Sequence, residues 1–461
     1  MSADRNLSMN TKFTIIGAGV SGRALASLAE ALGARTFVTE KNLVNEDARR
    51  FFTRRGIAFE EGGHTLKALD CDALVLSSGV PPSAKPVVEA LERGIPVMGE
   101  LDFVAARLKG RIIGVTGSNG KTTTTAIAGH ILSHSGFKTA VAGNIGRPLA
   151  ECAFGEYDWI VAELSSFQLY WAREFPIDLA VLTNIAPDHL DWHGSLHDYI
   201  AAKMKIFTLS RPESPAICQE TDIPDAKSAS GARGLDFIPL CKNHKNEEAR
   251  QKDGILLLDN ECHFLRKGHS DFLFSFKDVP LVGSHNIENA AMASAAAVLA
   301  GAPSTGIAGS IATFAPLPHR CEKIALIDGI TYVDDSKGTN VAATSTALDS
   351  IQKPIVVILG GKGKGEEYGP LAEAVVRNAS GVVLIGEEKD RIASALQASG
   401  YSTFTMAANM KEAVSAAMKM ASPGTTVILS PACTSWDMYE NYKVRGEHFK
   451  TIVRAIPGGV S

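Results

Sequence analysis

The fold is decided by the stretch Arg111-Ile-Ile-Gly-Val-Thr-Gly-Ser-Asn-Gly-Lys-Thr122, an apolar run that leads into a glycine-rich turn. The run predicts a β-strand, and the residues Thr123–Ser135 after the turn predict a helix. Backbone NH groups, the Lys121 ammonium and the Thr122 hydroxyl therefore meet at one helix N-terminus. The turn departs from the standard phosphate loop, because Val115 stands where its first glycine is expected. We predict a site for nucleotide phosphates and Mg²⁺ formed by Gly117, Ser118, Asn119, Gly120, Lys121 and Thr122.

The same order of strand, glycine turn and helix occurs on both sides of this stretch. Gly17-Ala-Gly-Val-Ser-Gly22 follows the apolar run Lys12–Ile16, and Gly360-Gly-Lys-Gly-Lys-Gly365 follows another run. Strands that alternate with helices are typical of α/β proteins with parallel sheets. The chain of 461 residues is long enough for about three domains. We predict an α/β fold with three domains, at residues 1–108, 109–316 and 317–461.

The first glycine motif is less specific than the second. Its spacing suits a dinucleotide, with Glu40 on a ribose, but a tight turn that only needs glycine would give the same letters. Taken alone, the motif does not distinguish NAD from another nucleotide.

Composition excludes several classes of protein. The formal net charge of −4 gives no general attraction to nucleic acid or to an anionic membrane. The seven cysteines are scattered and form no CxxC pair, which argues against a disulfide scaffold or a structural zinc site. No apolar run approaches the roughly 18 residues of a membrane span. We expect a cytoplasmic protein.

Several polar residues follow other apolar runs and are candidates for chemistry. Glu163 and His189 each come after such a run, and parallel sheets gather ligands at the carboxyl ends of their strands. Either residue could also be a hydrogen-bonded loop group. Asp188, Asp191 and His193 could form a zinc set, although sites rich in oxygen and phosphate favour Mg²⁺. Lys203 lies in an amphipathic helical pattern, and from the pattern alone we expect a solvated lysine.

Together, these motifs resemble the Mur ligase family over nearly the whole chain. The resemblance includes the turn Gly117–Thr122, Glu163 in Glu-Leu-Ser-Ser-Phe-Gln-Leu, His189 and Lys203. The other matching residues are Asn144 in Gly-Asn-Ile-Gly, Asn286 and Asn289 in Ser-His-Asn-Ile-Glu-Asn, Arg320 in Leu-Pro-His-Arg, and Asp335 and Lys337 before Thr339-Asn340.

Within the family the chain is most similar to the member that adds D-glutamate. The glycine turns Gly17–Gly22 and Gly360–Gly365, Ser78-Gly79-Val80, and Leu429-Ser-Pro-Ala-Cys-Thr-Ser-Trp-Asp437 carry this similarity. The Asp-Asn-Pro-Arg segment of the relatives that add diaminopimelate is absent from the sequence.

The resemblance implies a Rossmann-like N-terminal domain that binds a UDP precursor, a central P-loop ATPase-type domain with a parallel sheet, and a Rossmann-like C-terminal domain that binds an amino acid. It implies that ATP phosphorylates the carboxylate of UDP-N-acetylmuramoyl-L-alanine and that the D-glutamate amine then attacks the acyl phosphate. The expected enzyme is a monomer without nucleic-acid or membrane partners.

The resemblance also assigns roles to residues. Lys121, Glu163, His189 and Lys203 would be catalytic; Thr122 and Glu163 would hold one Mg²⁺, and His189 and a carbamylated Lys203 a second. ATP would contact Gly117, Ser118, Asn119, Gly120, Lys121, Thr122, Thr123, Asn286, Asn289, Arg320, Asp335 and Lys337. The UDP precursor would contact Val20, Ser21, Glu40, Lys41, Ser78, Gly79 and Asn144, and D-glutamate would contact Thr339, Lys364, Ser435 and Tyr442.

Three other functions fit parts of the sequence. A folylpoly-γ-glutamate synthetase would share the central domain but would lack the UDP-binding front domain. An NAD-dependent oxidoreductase would leave the turns at Gly117–Thr122 and Gly360–Gly365 without a role. A nucleotide-switch protein would not need the residues that receive the amino acid.

Overall fold

The computed structural model describes residues 11–242, 253–281 and 283–457. These residues form two compact units. The first contains the described residues up to Ile185, His197–Phe274 and Ala291–Ser310; the second contains Ala186–Leu196, Ser275–Ala290 and the chain from Ile311 onward. Most of the polar stretch Lys242–Lys252, which the sequence suggests is a surface loop, lies outside the described residues.

The first sheet of unit 1 has five parallel strands in the order β3-β2-β1-β4-β5. The strand order reverses between β1 and β4, so the turns that follow these two strands meet at one crevice. Its strands are β1 (Lys12–Ile16), β2 (Arg35–Thr39), β3 (Ala58–Glu60), β4 (Ala73–Leu76) and β5 (Val97–Gly99), with helices α1 (Val20–Ala31), α2 (Glu46–Arg55), α3 (Lys85–Glu92) and α4 (Glu100–Ala105).

The second sheet has the order β14-β13-β12-β11-β10-β9-β6-β8-β7. Its strands are β6 (Arg111–Thr116), β7 (Thr139–Gly143), β8 (Trp159–Glu163), β9 (Leu179–Leu182), β10 (Pro215–Gln219), β11 (Asp236–Lys242), β12 (Gly254–Leu258), β13 (Glu261–Arg266) and β14 (His269–Ser275). The strands from β12 to β7 pair in parallel, whereas β12 and β13 are antiparallel. Strands β8 and β9 are buried along their whole length, as their apolar runs predict.

Helix α5 begins directly after the glycine turn. The helices between residues 121 and 312 are α5 (Lys121–His134), α6 (Leu149–Cys152), α7 (Ser166–Trp171), α8 (Leu190–His193), α9 (Leu196–Leu209), α10 (Ile223–Ser230), α11 (Ser284–Leu299) and α12 (Ile307–Ala312). In the described ranges, no helix has both the length and the hydropathy that crossing a bilayer requires.

The third sheet lies in unit 2 and has the order β15-β16-β20-β17-β18-β19. Only β15 runs antiparallel to its neighbour. Its strands are β15 (Glu322–Ile327), β16 (Ile330–Asp334), β17 (Ile355–Gly360), β18 (Ala379–Ile385), β19 (Phe404–Met406) and β20 (Thr426–Leu429), with helices α13 (Val341–Ser350), α14 (Gly369–Asn378), α15 (Lys389–Ala398), α16 (Met410–Met420) and α17 (Tyr442–Arg454).

The α/β class with mostly parallel sheets is confirmed, whereas the three domain boundaries stay predictions. Inside unit 1, one hydrophobic cluster contains residues of both the first and the second sheet. It includes Phe13, Leu25 and Phe103 from the first sheet and its helices, Ile160 from β8, and Phe175 from the segment between α7 and β9. This shared core fixes the turns of the first sheet relative to those of the second.

Candidate active site

The glycine turn after β6 has a shape that only glycine allows. Gly117 has φ +144°, and a Cβ atom there would lie 1.9 Å from Oγ1 of Thr183. The end of β9 supports the turn, because Oδ1 of Asn184 accepts a hydrogen bond from the Asn119 NH at 3.0 Å and the Thr183 hydroxyl donates to the Asn119 carbonyl. The turn is therefore held by side chains more than sixty positions away in the sequence.

Two lysines point into this turn from different helices. Nζ of Lys121, the first residue of α5, donates to the carbonyls of Gly117 and Ser118, both at 2.8 Å. Nζ of Lys203 in α9 donates to the same Gly117 carbonyl at 2.6 Å, and the hydroxyl of Tyr199 lies 2.8 Å from Oγ of Ser118. Lys203 is only 2% exposed, so the expectation of a solvated lysine is wrong. The helix turns this residue towards the phosphate turn and not towards water.

Glu163, the last residue of β8, pairs with Val115 near the end of β6, two residues before the turn, and one of its carboxylate oxygens is available for a cation. Its Oε1 accepts a hydrogen bond from Nδ2 of Asn144 at 2.9 Å, whereas its buried Oε2 has no hydrogen-bond partner in the part of the chain that the structure describes. The whole residue is 1% exposed. A buried carboxylate oxygen without a donor is costly unless a cation binds it, so the donor set at this position fits Mg²⁺. Asn144, expected at the UDP precursor, orients this carboxylate.

The crevice of the first sheet brings together six of the seven residues expected at the UDP precursor, all except Asn144. Val20 and Ser21 begin α1 after β1, Glu40 and Lys41 follow β2, and Ser78 and Gly79 follow β4, three adjacent strands. The Glu40 carboxylate accepts hydrogen bonds from the backbone NH groups of Ala18 at 2.9 Å and Asn42 at 3.1 Å. Glu40 thus shapes the glycine turn. Val20 is 62% exposed at the mouth of the crevice.

In unit 2, Asp335 and Lys337 follow β16, and Lys337 lies against α17. Burial raises the pKa of Asp335 to about 7, against hydrogen bonds from Oγ of Ser430 at 2.7 Å and the Cys321 NH at 3.3 Å, and against the positive charge of Arg320. Nζ of Lys337 lies 4.3 Å from the centre of the Tyr442 ring. This cation–π contact places an expected nucleotide residue beside an expected D-glutamate residue.

Another group in unit 2 surrounds Asp188. Oδ1 of Asp188 lies 3.8 Å from Nζ of Lys364, and its Oδ2 accepts a hydrogen bond from Nδ2 of Asn340 at 3.1 Å. Nε2 of the neighbouring His189 lies 3.5 Å from the same carboxylate. Lys364 and Asn340, which directly follows Thr339, therefore share one anionic partner. His189 belongs to this unit, whereas Glu163 and Lys203 belong to the other, so a shared metal set stays a prediction.

Asn286 and Asn289 lie one turn apart at the start of α11. Both are buried, and Nδ2 of Asn289 donates to Oδ1 of Asn286 at 3.1 Å. Nδ1 of the adjacent His285 lies 2.9 Å from Oγ of Ser350 at the end of α13. Burial lowers the pKa of His285 to about 4. The position of both asparagines at the start of α11 is therefore tied to α13.

Comparisons with known proteins decide the family. Residues 12–85 match the MurD N-terminal domain, residues 115–297 the Mur ligase middle domain, and residues 319–433 the Mur ligase glutamate ligase domain. The chain is 37% identical over 453 residues to the UDP-N-acetylmuramoylalanine–D-glutamate ligase of Pelotomaculum thermopropionicum, covering 97% of this chain and 98% of that protein. This chain belongs to the Mur ligase family. A relative of the same name from Geobacter sp. strain M21 is 38% identical over 97% of this chain and 98% of its own.

Solved structures agree with this Mur ligase at the level of fold. The UDP-N-acetylmuramate–alanine ligase of Thermotoga maritima superposes with a TM-score of 0.58 at 18% identity, covering 97% of this chain and all of that one. A pseudomurein peptide ligase type C from Methanothermus fervidus gives a TM-score of 0.59 at 20% identity, covering 96% and 99% of the two chains. The fold of this Mur ligase therefore agrees with the order of motifs along its sequence.

Sequence reasoning missed several residues that shape this Mur ligase's site. Arg445 in α17 is 2% exposed and donates to Oγ and the carbonyl of Ser336 and to the carbonyls of Cys433 and Thr434. Burial lowers the pKa of Arg445 to about 10. His319 is also buried, with Nδ1 at 2.7 Å from Oδ2 of Asp334. An arginine on the apolar face of α17 was the available signal.

The alternative zinc set does not form. Among the described residues, the group of three whose ligand atoms approach one another closely is His319, Glu322 and Asp334, and it does not include Asp188, Asp191 or His193. Glu322 forms an ion pair with Lys450, whose Nζ lies 2.7 Å from its Oε2.

Proposed function

We propose that this Mur ligase is the ATP-dependent enzyme that joins D-glutamate to UDP-N-acetylmuramoyl-L-alanine in the synthesis of peptidoglycan precursors. The observation that carries the proposal is the phosphate turn Gly117–Gly120 with Lys121 and the uncommitted Glu163 oxygen beside it, in a chain aligned end to end with relatives of that name. The reaction must activate a carboxylate, and this arrangement suits phosphoryl transfer to such a group.

In the proposed reaction, the alanine carboxylate oxygen attacks the γ-phosphorus of ATP, and ADP leaves. The ammonium group of D-glutamate loses one proton to solvent, and the resulting amine attacks the acyl carbon. Phosphate leaves with the electron pair of the C–O bond, and the nitrogen loses a second proton to solvent as the amide forms. The protein's part is to position the reactants and to balance charge. Lys121 and the NH groups at the N-terminus of α5 hold the phosphates.

Thr122 and Glu163 would hold one Mg²⁺, with Oε2 of Glu163 as the ligand that the fold leaves available. His189 and Lys203 would hold a second. When bound, Mg²⁺ neutralises phosphate charge and orients the transferred group. A lysine ammonium cannot coordinate a cation, so Lys203 would do so as a carbamate formed with carbon dioxide. The carbamate nitrogen keeps one hydrogen, which could continue to donate to the Gly117 carbonyl.

The remaining roles follow the same proposal. Residues 1–108 would bind the UDP precursor through Val20, Ser21, Glu40, Lys41, Ser78 and Gly79, and Asn144 from the central region would also contact it. Residues 109–316 would bind ATP through the phosphate turn residues together with Thr123, Asn286 and Asn289. Residues 317–461 would complete the nucleotide site with Arg320, Asp335 and Lys337, and would receive D-glutamate at Thr339, Lys364, Ser435 and Tyr442. The monomeric state and cytoplasmic location stay predictions.

The test is an assay of phosphate release from ATP with UDP-N-acetylmuramoyl-L-alanine and, in separate reactions, D-glutamate, L-glutamate, L-lysine, L-alanine and meso-diaminopimelate. We expect turnover with D-glutamate and a product whose mass equals that of the precursor plus one glutamyl residue. Turnover with another amino acid and none with D-glutamate would refute the proposal.

A further inference from the structure

Glu100, the first residue of α4, is a buried carboxylate to which the reaction gives no role. It is 2% exposed. Its Oε2 accepts two hydrogen bonds, from Oγ of Ser78 at 2.8 Å and from Nε2 of Gln168 at 3.2 Å. Its Oε1 is buried and has no hydrogen-bond partner among the described residues. Burial raises the pKa of Glu100, which the two hydrogen bonds oppose. A polar group kept at this cost requires an explanation.

The two donors to Glu100 come from different parts of the expected active site. Ser78 lies in the turn after β4, at the crevice of the first sheet. Gln168 lies in α7, and its Oε1 accepts hydrogen bonds from the NH of Ser165 at 2.9 Å and its hydroxyl at 3.1 Å. Ser165 is two residues after Glu163. Glu100 therefore connects the turn at Ser78 to the segment that carries the expected Mg²⁺ ligand.

A second contact links the same two segments without Glu100. Nε1 of Trp171, the last residue of α7, donates to the carbonyl of Val80 at 3.1 Å. The end of β5, directly before Glu100, packs closely against α7, because a Cβ atom on Gly99 would lie 2.6 Å from Cβ of Trp171. Helix α7 thus holds the turn Ser77–Val80 from both ends, through Glu100 and through Trp171.

We propose that Glu100 is a positioning residue that holds the turn Ser77–Val80 in the conformation that receives the UDP precursor. It also fixes the position of this turn relative to the segment that carries Glu163. The inference rests on the proposed function for the identity of that ligand. Glu100 does not touch the reacting atoms; it acts through Ser78. Ser78 and Gln168 both donate hydrogen bonds to the same carboxylate oxygen of Glu100. The turn therefore requires a hydrogen-bond acceptor at this position.

Three substitutions and one control separate this role from general stability. Glu100→Leu removes both hydrogen bonds at similar volume, Glu100→Gln keeps an acceptor oxygen for both, and Trp171→Phe removes only the Nε1 donor. The control is Asp102→Ala, because Asp102 lies on the same helix and accepts hydrogen bonds from the NH groups of Arg173 and Glu174 and, in the part of the chain that the structure describes, none from the turn Ser77–Val80.

We expect Glu100→Leu to raise the KM for UDP-N-acetylmuramoyl-L-alanine about tenfold or more, with the KM for ATP changed less than about threefold. Trp171→Phe should shift the same KM in the same direction, while Glu100→Gln and Asp102→Ala should leave it within about threefold of the wild type. Equal effects of Glu100→Leu and Asp102→Ala on this KM would overturn the proposal.

A second measurement does not depend on the substrate. Amide hydrogen exchange of the ligand-free protein should become faster at residues 77–80 in Glu100→Leu and Trp171→Phe, and should stay at the wild-type rate in Asp102→Ala. Unchanged exchange in the first two variants would refute the positioning role even if the wild type turns over the expected precursor. Failure of the wild type to use that precursor would instead refute the proposed function.

Discussion

The stability of the protein should fall in mild acid because of one histidine, His285. Its Nδ1 lies 2.9 Å from Oγ of Ser350, and the Ser350 hydroxyl itself donates to the carbonyl of Thr346. The only hydroxyl proton is thus used, so Nδ1 carries the imidazole proton and donates to Ser350. A second proton would have to enter at Nε2, in a place where burial lowers the pKa to about 4, partly offset by Glu288.

The sign and size of the effect follow from linkage. The ordinary pKa is 6.5, so below that pH the unfolded chain takes up a proton that the folded protein refuses until about pH 4. The free energy of unfolding therefore decreases as the pH falls through 6.5 and levels off below about 4. For this single group the loss is about 2 kcal/mol at about pH 5 and about 3 kcal/mol at about pH 4.

The assay is urea unfolding followed by circular dichroism at several pH values between about 7 and 4.5, for the wild type and for His285→Asn. The Nδ2 group of asparagine takes the place of the histidine Nδ1 and can donate to Ser350, but it does not titrate, so the difference between the two proteins separates the effect of the histidine from that of every carboxyl group. We expect this difference to move by more than about 1.5 kcal/mol in favour of the variant over that range. A difference that stays constant with pH would refute the reasoning.

Three further outcomes are expected. Lys121→Ala should lower kcat more than about 100-fold. The dissociation constant of the UDP precursor, measured by calorimetry, should stay within about twofold, because the phosphate turn and the crevice of the first sheet are separate sites. Near-normal phosphate release would contradict the role of Lys121 in holding the ATP phosphates. Lys364→Ala and Ser435→Ala should raise the KM for D-glutamate about tenfold or more, since each loses a charge-assisted hydrogen bond of about 1.5–3 kcal/mol; an equal rise in the KM for ATP would count against the division of roles. Lys203→Ala should lose most activity and regain part of it with added acetate or formate. Mass spectrometry of the active wild type in bicarbonate should find a carbamate at Lys203. If the active enzyme has an unmodified amine there, Lys203 only holds the Gly117 carbonyl.

Local sequence was sufficient for the elements that begin and end within a few residues. The run Lys12–Ile16 predicted β1 with the bounds that the structure gives. The phosphate turn was also readable, because its NH groups, lysine and hydroxyl lie within six consecutive residues between a strand and a helix. The helix after it begins at Lys121, two residues earlier than predicted, because the turn residue Gly120 with φ +80° already serves as its N-cap.

What a side chain does inside the protein depended on partners far away in the sequence. Lys203 and Gly117 are 86 positions apart, and Arg445 and Ser336 are 109 apart, so no window of sequence contains both members of either pair. Helical periodicity placed Lys203 on a helix face but did not say what covers that face. Glu100 likewise became informative only once packing buried its carboxylate, and His285 only once packing placed it against Ser350.

The sequence by itself therefore determined the order of strands, glycine turns and helices, and with it the family, because these depend on backbone preferences and residue types over short spans. Tertiary structure alone decided which polar groups are buried and which oxygen, such as Oε2 of Glu163, is left for a cation. The physical reason is that burial and hydrogen-bond satisfaction are properties of the packed neighbours, and those neighbours come from strands that the chain brings together only when it folds.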